Sequence, residues 1–210
     1  MKISRAIVFD NISVSFNSTE LFRGLSFNIK KGEKAVLKGP SGSGKTTLLN
    51  LAMGFQKPDK GAIRILGNEI RPGRLADIRA KIAWVPQNPA IIGDEDVRSA
   101  IDFPFTFSAN KSIRPSYKDI IGAFEAVGLE EKILDEDFSE VSGGENQRIA
   151  IVIARLLRKP VIIIDEPTSA LDKASAKKVI DYLFSDDSLT VLSASHEDIW
   201  VDNCDKVIEI

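Results

Sequence analysis

The sequence predicts an α/β fold, and three observations carry that expectation. Residues 34–52 read as a short apolar strand that runs into a glycine-rich loop and then into a helix. Strands and helices alternate through the last third of the chain, the pattern of a parallel sheet covered by helices. The segments VIII and TVLSAS in that third show no every-other-residue alternation, as expected of strands buried on both faces. At 210 residues, against roughly 150 per domain, the chain has room for one elaborated domain or two small ones.

In chain order, residues 6–9, 12–16 and 25–29 carry apolar positions at short spacing and are predicted strands. Lys30-Lys31-Gly32-Glu33 is a turn, and Lys34–Lys38 is a strand that ends at the glycines. Helix is predicted over 46–52, a strand and turn over 61–68, and a strand over 82–85 that stops at Pro86. Residues 94–140 change character. Phe103-Pro104-Phe105, Pro115 and Gly128 interrupt helical stretches such as 117–127, which marks a small helical insertion. The alternation then resumes with helix 145–157, strand 161–164, helix 173–183, strand 189–193 and a final strand over 206–210.

Composition narrows the function classes. With 43% hydrophobic and 28% charged residues this is a globular chain. Its 28 basic and 30 acidic residues leave a formal charge of −2, which weakens the case for nucleic-acid binding. The single cysteine, Cys204, allows neither an internal disulfide nor a thiolate metal site and points to a reducing compartment. Polar residues interrupt the first sixteen positions where a signal peptide needs an apolar run. The longest apolar runs, 149–154 and 161–164, fall far below the roughly 18–20 residues that span a bilayer. A membrane role would therefore come through a partner.

The strongest chemical signal is Gly39-Pro40-Ser41-Gly42-Ser43-Gly44-Lys45-Thr46, which fits GxxxxGK followed by Ser or Thr, between a strand and a helix. Such a loop turns backbone amides toward phosphate oxygens and sets them at the positive end of the helix. Lys45 would reach the β- and γ-phosphates, and Thr46 would offer its hydroxyl to Mg²⁺. Asp165 and Glu166 end the apolar run 161–164, at the carboxyl edge where open parallel sheets gather ligands. Asp165 suits a Mg²⁺ shell and Glu166 suits polarisation of an attacking water; an acidic helix cap before Pro167 is the plainer alternative. His196, the single histidine, follows a strand and would face the γ-phosphate, although an isolated histidine is more often a packing or surface residue. Gln87 could contact Mg²⁺ or the attacking water; alone it says little. Ser142-Gly143-Gly144-Glu145 opens a second helix, and reads either as a helix cap or as a second presenter of amides to phosphate. One chain thus holds two phosphate-shaped elements but one lysine-bearing loop, which points to composite sites between two chains.

Taken in order, GPSGSGKT, Gln87, VSGGENQR at 141–148, VIIIDEPTSALD at 161–172 and His196 resemble the ATP-binding subunit of an ABC transporter, over nearly the whole chain. The resemblance implies a P-loop NTPase fold: a RecA-like core, an antiparallel β subdomain and a small helical subdomain. Residues 1–93 and 141–210 would form the core and β subdomain, and 94–140 the helical subdomain. ATP contacts would fall to Gly39, Pro40, Ser41, Gly42, Ser43, Gly44, Lys45, Thr46 and Thr47, with Phe16 stacked on the adenine. Thr46, Gln87 and Asp165 would serve Mg²⁺. Glu166, His196, Gln87 and Lys45 would be catalytic, and Asp172 would be the aspartate of the loop that follows.

Family members work as head-to-tail dimers, so Ser142, Gly143, Gly144 and Glu145 of one chain would close over ATP held by the other, in a homodimer or a heterodimer. The segment departs from the family's LSGGQ at Val141 and Glu145. Lys38, where the family usually has a small or apolar residue, either adds positive potential to the loop or faces solvent. The middle segment from Gly93 to Phe105 looks like that of small bacterial ATPases of the metal-resistance or iron-exporter type. Phe103 and Phe105 would line a groove for a helix of the membrane subunit, or else pack the insertion against the core. The resemblance thus implies an ATPase that powers transport of an ion or small solute through a separately encoded polytopic subunit, at the cytoplasmic face of the cell membrane, with no nucleic-acid partner. An ATPase of an Fe-S assembly complex is the alternative.

Overall fold

A computed structural model describes residues 4–16, 19–89 and 96–210 of the chain. Among these, two sheets lie on either side of a common core. The first is antiparallel and is built from β1 (Arg5–Phe16), β2 (Thr19–Lys30), β4 (Lys60–Ile65) and β5 (Asn68–Glu69), in the order β2-β1-β4-β5. The second is wholly parallel. It contains β3 (Lys34–Lys38), β6 (Ile82–Val85), β7 (Val161–Asp165), β8 (Thr190–Ala194) and β9 (Lys206–Glu209), in the order β6-β7-β8-β3-β9.

The parallel strands lack alternation because both of their faces are covered. On β7, Ile162 and Ile164 face a cluster with Ile149, Val152, Val179 and Ile180, which belong to α5 (Gly143–Leu156) and α6 (Lys173–Phe184). Val161 and Ile163 face the opposite cluster, with Leu48 and Leu51 of α1 (Lys45–Ala52) and with Ile7 and Phe9 of β1. Parallel register then fixes the site. Val85 lies opposite Ile164, Asp165 opposite Ala194 and Leu37 opposite Ala194, so the ends of β6, β7, β8 and β3 share one edge.

Sequence and structure differ most in the antiparallel sheet. The expected strands 6–9 and 12–16 are one strand, because a register shift between Phe9 and Ile12, with Asn11 at φ 54°, lets the chain bulge and continue. The expected strand 25–29 begins six residues earlier, at Thr19. Short α2 (Leu75–Arg79) and α7 (Asp198–Val201) lack the length for a periodic signal. From residue 96 the insertion is helical as expected, with α3 (Val97–Asp102), α4 (Tyr117–Val127) and 3-10 turns between them. Gly93, Asp94 and Glu95 lie outside the described residues. Phe105 is buried in the core, as the packing alternative expects, whereas Phe103 is half exposed and packs edge-to-face on exposed Phe107.

Candidate nucleotide site

The site starts at the end of β3. Gly39 passes where a Cβ would come within 2.5 Å of the Ile210 carbonyl oxygen and 2.7 Å of Ser43 Oγ, so no side chain fits there. Gly44 takes the position just before α1 at φ 97°, and a Cβ on it would strike the Phe22 ring at 2.4 Å. No side chain caps α1, and its first turn holds no acidic residue. Its leading amides are therefore left for a ligand, and nothing in the first turn cancels the positive end of the helix.

Lys45 is nearly buried, and its ammonium donates to the carbonyl oxygens of Gly39 (2.8 Å) and Pro40 (3.1 Å), spanning the loop. Thr46 Oγ1 donates to Asp165 Oδ2 at 2.8 Å, which joins the helix start to the end of β7. Burial pushes the Asp165 carboxyl above its usual range, and the neighbouring Glu166 carboxylate adds to this against the Thr46 hydrogen bond and Lys45. Glu166 occupies the left-handed region at φ 47°, unusual for a side-chain-bearing residue, and its N–H donates to the Ala194 carbonyl at 2.9 Å. It caps no helix, which removes the plainer reading of this carboxylate. His196 Nδ1 stands 3.1 Å from both Glu166 carboxylate oxygens.

These groups line one cavity of about 660 Å³, together with Gln87, Thr47 and the loop residues Gly39, Pro40, Ser41, Gly42 and Gly44. Ser43 is not on the lining, and its hydroxyl oxygen is buried without a partner among the described residues. Leu21 of β2 also lines the cavity. Sequence reasoning missed it, because its place follows from the β1–β2 register and no local pattern marks it. Phe16 ends β1 opposite Thr19, but its side chain lies outside the described residues. Lys38 turns toward Asp198 of α7, with Nζ 3.9 Å from Oδ1, a long and exposed contact.

Ser142, Gly143, Gly144 and Glu145 are not on the cavity lining. They start α5 with a reciprocal cap: Ser142 Oγ accepts from the Glu145 N–H (3.3 Å), and the Glu145 carboxylate accepts from the Ser142 N–H (3.0 Å). The Ser142 hydroxyl holds the Glu145 carboxyl below its usual range. Asp172 likewise caps α6, accepting from the N–H groups of Ala174 (2.8 Å) and Ser175 (2.9 Å).

The donor set fits a nucleotide with its cation. Among the described residues no cluster of three or more His, Cys, Asp or Glu can hold a metal alone. A hydroxyl and one raised carboxylate beside open helix amides suit Mg²⁺, which binds through one or two carboxylates together with substrate phosphates.

A phosphate loop on an uncapped helix, facing two carboxylates at the carboxyl edge of a parallel sheet, defines a P-loop nucleotide-binding domain. The sequence pattern of the ABC transporter family matches residues 22–169, and the chain belongs to that family. It is 30% identical over 196 residues to a ferric ion import ATP-binding protein of Rhodococcus jostii, covering 91% of this chain and 55% of the relative. The chain thus spans about half the length of that relative. A probable iron export ATP-binding protein of Escherichia coli is 26% identical over 210 residues, covering 99% of this chain and 92% of the relative. Among solved structures, a dimeric ATP-binding cassette in a post-hydrolysis state with ADP and phosphate superposes with a TM-score of 0.84. It is 26% identical, over 97% of this chain and 94% of that one.

Proposed function

We propose that the chain binds and hydrolyses ATP to power transport of an ion or small solute through a separately encoded membrane subunit, with metal-ion export as the finer reading. One observation carries the ATPase part: Lys45, Thr46, Gln87, Asp165, Glu166 and His196 come from separate segments and line a single cavity.

Mg²⁺, when bound, would offset phosphate charge and orient the terminal phosphate. The chain's own residues do the rest. Lys45 exchanges its two loop carbonyls for the β- and γ-phosphate oxygens, while Thr46 and Asp165 hold the cation side. Glu166 accepts a hydrogen bond from the attacking water and so aims its lone pair at the γ-phosphorus. His196, already within hydrogen-bond distance of both Glu166 oxygens, keeps that carboxylate in place. Gln87 approaches the water and the cation from the β6 side. Phe16 would stack on the adenine.

The Ser142–Glu145 turn would act on the nucleotide of a second copy in a head-to-tail dimer; the dimeric ATP-binding cassette of the same fold supports this. Residues 1–93 with 141–210 would form the core and β subdomain, and 94–140 the helical subdomain. Docking on the cytoplasmic face of the cell membrane would use the exposed Phe103 and Phe107 pair. No helix among the described residues is long and apolar enough to cross a membrane, so the transport path is assigned to the partner. Likeness to an iron export ATP-binding protein over 92% of that protein's length favours a metal ion as cargo and export as direction.

Phosphate release from the purified chain tests the ATPase. Mg²⁺-dependent turnover is expected, and Glu166→Gln should lower it by about 10²–10⁴-fold, the usual worth of a general base, with ATP affinity kept. Unchanged turnover in that variant would remove Glu166 from its role.

A further inference from the structure

Gln87 sits on a stiff span. Pro86 and Pro89 fix φ on either side of Gln87-Asn88, and each restricts the residue before it. One end of the span is β6; what holds the other end decides how far Gln87 reaches into the cavity. Among the described residues, α5 supplies a hold there. Asn146 Nδ2 donates to the Pro89 carbonyl oxygen at 2.9 Å, across 57 residues of sequence. Because the partner is a carbonyl, the orientation of the amide is settled.

Asn146 also lies within the turn that starts at Ser142, and its own N–H donates to the Ser142 carbonyl at 2.9 Å. On another side of that turn, a Cβ at Gly144 would come within 2.9 Å of the Ala170 carbonyl oxygen, in the segment that leads away from Glu166. The first turn of α5 therefore touches the Gln87 span and the segment following the carboxylates.

Asparagine is not placed here by helix propensity. It is a poorer helix former than alanine, and its Oδ1 is buried with no partner among the described residues. We infer that Asn146 is a positioning residue: through Pro89 it sets the reach of Gln87 into the cavity and ties that reach to the Ser142–Glu145 turn. This rests on the ATPase reading for its catalytic consequence, but the link itself is a property of the chain without nucleotide.

Two readouts on the full chain test it. In Asn146→Ala, which favours helix, the backbone amide resonances of Gln87 and Asn88 should shift and broaden while those of α6 stay as in the wild type. Unchanged Gln87 and Asn88 resonances would overturn the link. In turnover, Asn146→Ala should lower kcat about fivefold with the KM for ATP within about twofold, and Asn146→Gln, which keeps the donor, should recover most of the loss. In a Gln87→Ala background the same substitution should change kcat by less than about twofold. An equal loss in both backgrounds would show that Asn146 does not act through Gln87. A wild-type chain without turnover would overturn the ATPase reading, and the resonance comparison would still decide the link.

Discussion

The starts of α1 and α5 look alike in sequence, glycine-rich turns running into amphipathic helices, yet they satisfy their first-turn amides in opposite ways. At α5 the Ser142 and Glu145 side chains do it within the chain, in a reciprocal cap. At α1 nothing does: Gly44 has no side chain to offer, the first turn holds no acid, and Lys45 is folded back onto two loop carbonyls. An uncapped helix start beside two carboxylates is a site prepared for an anion and its cation. A capped and exposed start, off the cavity lining, is prepared for a surface. The difference teaches that a glycine-rich helix start becomes a ligand site through what is withheld from it.

Breaking the α1 start should have the largest effect. Lys45→Ala removes the charge aimed at the phosphates and should weaken ATP binding about 100-fold, the worth of roughly two charge-assisted hydrogen bonds, as read by calorimetry. Equal affinity in the variant and the wild type would place the phosphates elsewhere. Ser142→Ala sharpens the contrast from the other side. It should cost about 1 kcal/mol of stability as a lost cap while leaving ATP affinity of the single chain within about twofold. A large fall in that affinity would mean that the turn already reaches its own nucleotide.

The smallest effect concerns the burial of Asp165. Its carboxyl is raised, so the native chain holds this proton more tightly than the unfolded chain does, and stability falls as pH rises from the unfolded value, roughly 3.9, through the raised one. Asp165→Asn keeps an acceptor for Thr46 and removes the buried charge. In the absence of Mg²⁺ and nucleotide, its Tm at neutral pH should rise slightly above that of the wild type. A lower Tm would show that the carboxylate supports the fold.

Much of this site was legible because its parts are contiguous or punctuated. The loop 39–46 announces itself by glycines between strand and helix, and Asp165 and Glu166 by ending an apolar run. The rest depends on register. Leu21 reaches the cavity only because β2 pairs with β1 and passes Gly44, and nothing in TELFRG says so. The bulge at Asn11 concealed a single strand behind a polar break. Phe103 and Phe105 are adjacent in kind but opposite in burial, since the 3-10 turn over Phe103–Phe105 sends one ring into the core and leaves the other outside. The link from Asn146 to Pro89 joins residues too far apart in sequence for any local pattern to connect them.

The central claim is that the α5 start completes the nucleotide site of a second chain. Light-scattering mass of the Glu166→Gln protein, which should hold ATP without consuming it, tests this directly. The account predicts the mass of one chain without nucleotide and twice that mass with ATP and Mg²⁺, reversed when Mg²⁺ is chelated. A mass that stays at one chain with ATP bound, or a dimer indifferent to ATP, would contradict it.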